Sequence, residues 1–84
     1  MHFKETTVGR LKEGDRIALD VQGTLKSTIV TKKMKGTRDY MLCFEKVDGL
    51  TASFMCVAGS TPVMKLNKGW DVKEEGGKII YFER

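Results

Sequence analysis

Apolar and polar residues alternate along much of this chain with a period of two, which is typical of β-strands and not of helices. Ile17, Leu19 and Val21 are the clearest example, since their spacing places them on one side of a strand. The same segments are rich in β-branched and aromatic residues, which favour strands. The predicted strands are 16–21, 24–33, 39–47, 50–57, 63–66, 70–74 and 78–83, and the opening segment 2–8 is consistent with an additional edge strand.

Turn residues separate these segments and indicate how they connect. Glycine recurs at intervals of about ten residues, which is the spacing of turns between the short strands of sandwiches and barrels. Asp48-Gly49, between two apolar runs, is the strongest hairpin signal, because both central residues of a type I′ turn need positive φ. Gly76-Gly77 predicts a hairpin near the C-terminus. The predicted fold is therefore all-β: a small barrel or β-sandwich of antiparallel strands with an added C-terminal β-hairpin.

Strand register sorts the apolar residues of the central meander onto two faces, if the turns near 34–39 and 48–49 hold even numbers of residues. One face collects Leu25, Ile29, Tyr40, Leu42, Phe44, Met55 and Val57. The other collects Val30, Met34, Met41, Cys43, Val47, Leu50, Phe54 and Cys56. Both faces are substantially apolar, so the second one needs a cover. We expect the C-terminal hairpin to fold across it; a partner chain, such as a second copy in a homodimer, is the alternative.

The same register makes Cys43 and Cys56 diagonal neighbours on one face. Diagonal Cβ atoms lie roughly 7–8 Å apart or somewhat less, whereas a disulfide requires about 3.5–4.5 Å. The two cysteines are therefore predicted to be buried free thiols.

The length of 84 residues indicates a single domain, with a barrel meander over about 8–66 and the hairpin over about 70–83. The composition, 40% apolar and 31% charged, is that of a globular protein. No apolar run reaches the length of roughly 18 residues that a membrane span needs, and the start of the chain does not have the pattern of a signal peptide. We expect a cytoplasmic protein with no membrane partner.

Catalytic signatures are scarce. His2, the single histidine, lies at the terminus, so a histidine-based acid–base pair has no partner to build on. The chain contains no phosphate-binding loop, dinucleotide fingerprint or zinc-protease motif, and the cysteines do not have metal-site spacing. No enzymatic activity, catalytic residue, cofactor or metal site is predicted.

Charge is the strongest functional hint. The net charge is +4, yet the segment from Lys26 to Arg38 holds five basic residues and no acidic one, leaving ten basic and eleven acidic residues elsewhere. Basic side chains next to aromatic rings are typical of small β-barrels that bind nucleic acid, with charge on the phosphates and rings on the bases. The candidate nucleic-acid-binding residues are Lys26, Lys32, Lys33, Lys35, Arg38 and Tyr40. The alternative is a solvated hairpin tip whose lysines protect a sheet edge.

A second candidate surface lies near the C-terminus. Trp70, Tyr81 and Phe82 are three of the seven aromatic residues, and Trp and Tyr commonly anchor protein interfaces. The simpler interpretation, which we favour for at least two of them, is that these rings cap the barrel.

The segment "VGRLKEGDRIAL", residues 8–19, resembles the first strand and turn of SH3-like small barrels, in which an L-x-x-G-D-R/K-V pattern leads into a five-strand meander. The resemblance covers residues 8–66. Such barrels occur in RNA-associated proteins, in protein-binding modules and in small bacteriophage proteins, so the resemblance implies a fold and no single function.

The leading hypothesis is a non-enzymatic module that contacts the nucleic-acid backbone through the basic hairpin tip. The alternative is a protein-interaction module, such as a small phage-type regulator or inhibitor of a host protein. It would use the aromatic C-terminal hairpin, or the basic tip against an acidic protein surface.

Overall fold

The computed structural model describes all residues from 1 to 84 as eight antiparallel strands and one turn of 3₁₀ helix. The strands are β1 (Phe3–Thr7), β2 (Arg16–Val21), β3 (Thr24–Lys35), β4 (Asp39–Phe44), β5 (Phe54–Ala58), β6 (Pro62–Leu66), β7 (Trp70–Glu75) and β8 (Lys78–Glu83), with the 3₁₀ turn at Val8–Arg10. The predicted all-β, antiparallel fold with a C-terminal hairpin is confirmed. No helix in the chain has the length and apolar character that crossing a membrane requires.

Six strands form one sheet in the order β1-β6-β2-β3-β4-β5, and β7 and β8 pair separately. The strands from β2 to β5 follow one another as a meander, after which β6 returns to lie beside β2. The segment after β1 joins the two ends of the sheet, because Val8 N donates to Thr61 O (3.0 Å) and Gly9 N donates to Gly59 O (2.9 Å). The sheet thereby curls around an inner core.

The inner core is built from buried side chains of the sheet and of the segment that closes it. Its main cluster is Val8, Leu11, Ile17, Val30 and Leu42, and a second cluster contains Val21, Phe44 and Val47. Ile17 and Leu42 are fully buried, at 0% exposure. The alternation predicted for β2 is confirmed, since Ile17 and Val21 both face this inner core.

The C-terminal hairpin lies on the outer side of β2, β3 and β6. Its Val72 is buried against Ala18 and Leu66, with Tyr81 packed at the edge of the same cluster. Because Ile17 faces inward and Ala18 outward, β2 is buried on both sides. The expectation that the hairpin covers the second face of the central meander is therefore wrong: the hairpin covers the outer side of the other half of the sheet.

A β-bulge in β3 explains a second error. The β3–β4 register shifts between Val30 and Lys32, so inward positions are even before the bulge and odd after it. Val30 accordingly joins the inner core, while Leu25 packs on the outer cluster beneath the hairpin. The sequence prediction included no bulge, and it therefore placed Val30, Leu25 and Ile29 each on the face opposite to the one that it occupies. One extra residue in a strand reverses the facing of every side chain on one side of the bulge.

The connection from β4 to β5 is longer than the predicted two-residue hairpin, but its register is as predicted. Cys43 faces Phe54, as a turn centred on 48–49 requires, although the strands end at Phe44 and begin again at Phe54. Side chains of β3 hold the intervening loop: Thr28 Oγ1 donates to Glu45 O at 2.7 Å. Val47 was predicted on the outer face but is buried in the inner core, at 5% exposure.

Candidate binding surface

Two of the five basic residues between Lys26 and Arg38 donate hydrogen bonds within the chain. Lys26, near the start of β3, donates from Nζ to Asp48 O at 2.8 Å and anchors the β4–β5 loop. Lys33 Nζ donates to Gly9 O at 2.7 Å and lies 5.3 Å from the centre of the Tyr40 ring. Lys32 lies six residue steps along the extended chain from Lys26, a distance of roughly 20 Å. The structure therefore does not bring the five cations into one patch.

Tyr40 is also engaged. Its half-buried ring packs against the inner core, and it lies so close to Gly59 that a Cβ added there would be 2.6 Å from Tyr40 Cε2. With Lys33 above the ring, a nucleic-acid base would have to displace a neighbour in order to stack on Tyr40.

The other three cations surround the β3–β4 turn. Lys32, Lys35 and Arg38 are exposed and make no ion pair. The turn is closed by a hydrogen bond from Gly36 N to Asp39 O at 2.7 Å. The tip of this hairpin is thus a free, positively charged end of the molecule, with Asp39 as its acidic residue.

Beside these cations lies the outward face of the last part of β3, of β4 and of β5, which we call the open face. Strand pairing arranges its side chains in two cross-strand rows: Lys32, Cys43 and Phe54 in one, and Met34, Met41 and Cys56 in the other. Met34 is 40% exposed and Phe54 49% exposed. Unlike the outer side of β2, this apolar surface is covered by no other part of the chain.

A groove forms where the open face meets the tip. Its cavity of about 530 Å³ is lined by Met34, Met41, Cys56 and Tyr40 together with the turn residues from Lys35 to Asp39. Met34, Met41 and Cys56 contribute apolar and sulfur-containing side chains to this lining, and Lys35 and Arg38 are its two basic residues. Thioether and thiol groups are polarizable and adapt to differently shaped apolar ligands.

The open face ends at β5, an edge strand of the sheet. Phe44 N donates to Ser53 O at 2.9 Å, and antiparallel pairs alternate between bonded and non-bonded positions. The N–H and C=O groups of Phe54 and Cys56 therefore point away from β4. The sequence of β5, FMCVA, contains none of the lysines or prolines that usually protect an edge from pairing.

The aromatic residues of the C-terminal hairpin divide into two groups. Trp70 and Tyr81 contact the N-terminal segment, with ring centres 4.1 and 5.2 Å from that of His2. Phe82 is 37% exposed and lies under Lys73, whose Nζ is 5.5 Å from the ring centre. The three rings predicted as a protein interface do not form one exposed patch.

Both cysteines are free thiols, as predicted, but they are not buried. Cys43 is half-buried and Cys56 is exposed, because both lie on the open face, for which the predicted cover is absent. No group of three or more His, Cys, Asp and Glu side chains is placed to hold a metal ion.

The candidate surface thus combines three free cations, an apolar groove and an unpaired strand edge. The sequence prediction included the cations and listed the apolar residues, but it treated the latter as covered core. Comparisons with protein-family models, with curated proteins and with solved structures give no match to this chain.

Proposed function

We propose that this protein is a non-enzymatic binding module that captures an extended protein segment on its open face. The observation that carries the proposal is the groove, in which exposed Met34 of β3, half-buried Met41 of β4 and exposed Cys56 of β5 lie next to unpaired cations. Contiguous exposed apolar surface with a polar rim is typical of protein interaction sites. The matching partner is a segment that places apolar side chains in the groove and acidic side chains at Lys32, Lys35 and Arg38.

The edge of β5 supports a mode of binding. A segment that pairs with the outward-pointing groups of Phe54 and Cys56 would extend the sheet by one strand, with backbone hydrogen bonds giving affinity and alternate side chains giving specificity. A small regulator or inhibitor of another protein, the phage-type role considered from the sequence, would act in this way. The order of strands, with β6 beside β2 after a meander, supports the proposal of an SH3-like barrel. The cytoplasmic location stays a prediction.

Synthetic peptides test this proposal directly. Fluorescence polarisation would compare eight-residue peptides of alternating apolar and acidic residues with matched peptides in which lysine replaces each acidic residue. We expect binding of the acidic set only, and about tenfold weaker binding by a Lys35→Glu, Arg38→Glu double variant, because two attractions become repulsions. Met41→Glu, which puts a carboxylate into the groove, should also abolish binding.

The matched control is Ile79→Glu, which changes an apolar side chain that is 52% exposed on β8, away from the groove. This variant should bind like the wild type. Equal binding of both peptide sets, or a loss in Ile79→Glu as large as in Met41→Glu, would contradict the proposal. Self-association that Met41→Glu abolishes would identify a second copy of the chain as the occupant instead.

Nucleic acid is the second candidate, favoured by the three unpaired cations and by the exposed ring of Phe54 on the same face as Lys32. In this role Phe54, and not Tyr40, would stack on a base. Each phosphate contact contributes about 0.7–0.9 to the slope of log affinity against log salt concentration. Replacing Lys32, Lys35 and Arg38 by Gln should therefore lower the slope for a single-stranded oligonucleotide by about two, whereas Lys78→Gln should leave it unchanged.

A further inference from the structure

A second group of cations meets at the seam between the sheet and the C-terminal hairpin. Arg16 at the start of β2, Lys68 in the β6–β7 connection and Arg84 after β8 line one cavity of about 250 Å³. Asp15 is the acidic residue in its wall. The three cations are far apart in sequence, and the fold alone brings them together.

The nearby carboxylates are already engaged. Asp15 Oδ2 accepts from Lys12 N at 2.8 Å, and its Oδ1 lies 3.5 Å from Lys65 Nζ. Asp71 accepts from Arg16 Nη1 at 3.3 Å and from Val72 N at 2.7 Å. Lys68 and Arg84 form no ion pair, so the positive charge that they bring to the cavity is not neutralised by a side-chain carboxylate.

Arg16 has an unused edge. Its Nη1 bonds Asp71, whereas its Nε is buried and has no hydrogen-bond partner. Nε and Nη2 lie on one edge of the planar guanidinium, and an edge of this kind can donate two parallel hydrogen bonds to an oxyanion. A buried donor without a partner is costly, which makes the gain from an incoming acceptor correspondingly large.

We propose that this cavity binds a phosphate group, either as inorganic phosphate or as the phosphate of a small ester such as a nucleotide. The unused edge of Arg16 takes two phosphate oxygens, after a side-chain shift that opens Nε to the cavity, while Lys68 and Arg84 supply the charge. Two unpaired cations match a phosphate, which carries a charge of about −1.5 to −2 at pH 7, better than a carboxylate. The site uses no residue of the open face and is independent of the function proposed above.

A bound phosphate would join the sheet to the hairpin, because Arg16 belongs to one and Arg84 to the other. A ligand that binds only the folded state raises the stability of that state in proportion to the logarithm of the ligand concentration. The thermal unfolding temperature should therefore rise with inorganic phosphate at constant ionic strength, and more than with acetate or chloride. Adenosine monophosphate as a second ligand distinguishes the sources: binding tighter than that of inorganic phosphate indicates an ester, and equal or weaker binding indicates the free ion.

The variants Lys68→Gln and Arg84→Gln test the site itself. Both side chains are exposed, so the variants should fold like the wild type, and each should weaken phosphate binding about three- to tenfold in a calorimetric titration. Lys78→Gln, at the start of β8 in the same hairpin, is the matched control and should change nothing. In an amide NMR spectrum, phosphate should shift the signals of Gly14 and Arg16.

Three results would overturn the proposal. An equal rise in unfolding temperature with acetate and with phosphate would mean that no site selects the dianion. Equal weakening in Lys78→Gln and Lys68→Gln would show a general charge effect and not a site. Unmoved amide signals of Gly14 and Arg16 at saturating phosphate would place the binding elsewhere.

Discussion

The outward surface of the six-stranded sheet consists of two halves, one covered by the C-terminal hairpin and the other exposed. On β2 and β6, Ala18 and Leu66 are buried beneath Val72 of the hairpin, with exposures of 7%, 3% and 3%. On the open face, Met34 and Phe54 keep exposures of 40% and 49%. Both halves are apolar, so hydrophobicity alone does not decide which of them the hairpin covers.

Polar contacts at the rim distinguish the two halves. The hairpin is tied to the covered half by Arg16 Nη1 to Asp71 Oδ2 at 3.3 Å and by Leu25 N to Glu74 Oε1 at 3.1 Å. The open face and the adjoining β3–β4 turn instead carry Lys32, Lys35 and Arg38, for which β7 and β8 place no acidic partner. These two contacts hold the hairpin on the covered half, whereas the cations beside the open face stay unpaired, as the proposed binding of an acidic partner requires.

The largest expected difference between the halves is in stability. Leu66→Ala should lower the free energy of unfolding by about 2–5 kcal/mol, because it leaves a cavity between the sheet and the hairpin. Phe54→Ala removes a larger side chain from the open face and should cost less than about 1 kcal/mol. Urea denaturation of both variants measures the contrast. Similar losses would mean that the open face is packed in solution.

A smaller effect on stability is expected from loss of the hydrogen bond between β3 and β7. Glu74→Ala leaves the half-buried N–H of Leu25 without its acceptor and should cost about 1–2 kcal/mol. Glu74→Gln keeps a side-chain oxygen and should recover most of that loss. Hydrogen exchange of the β7 and β8 amides, measured beside urea denaturation, would show whether the loss is local to the hairpin. Glu74→Gln as destabilised as Glu74→Ala would contradict a role for this hydrogen bond.

Local sequence signals were sufficient for the strands and for part of the register. The alternation of Ile17, Leu19 and Val21 predicts the bounds of β2, and Asp48-Gly49 predicts the pairing of Cys43 with Phe54. These features depend on neighbours in the chain, on pleat geometry and on turn chemistry. They therefore do not need knowledge of the tertiary structure.

The bulge in β3 and the position of the C-terminal hairpin on the sheet depend on contacts between residues that are distant in sequence. Nothing in the segment around Val30 marks the extra residue, which is fixed when Val30 exchanges hydrogen bonds with Asp15 O and Gly14 N. The candidate site also depends on contacts between residues that are distant in sequence. In the sequence Lys26 and Lys33 resemble the other basic residues, yet their ammonium groups donate hydrogen bonds to the backbone carbonyls of Asp48 and Gly9.

The smallest expected effect is a difference in thiol reactivity between two strands of the open face. Cys43 and Cys56 lie on the same open face, but Cys56 on the edge strand is exposed and Cys43 is half-buried. In the single-thiol variants Cys43→Ser and Cys56→Ser, which should each stay within about 0.5–1 kcal/mol of the wild type, the Cys56 thiol should react several times faster with a disulfide reagent. A Cys56 thiol that reacts no faster than Cys43 would show that the β5 edge is covered in solution. If dilution then restored its reactivity, the cover would be a second copy of the chain, because a contact within one chain does not depend on concentration.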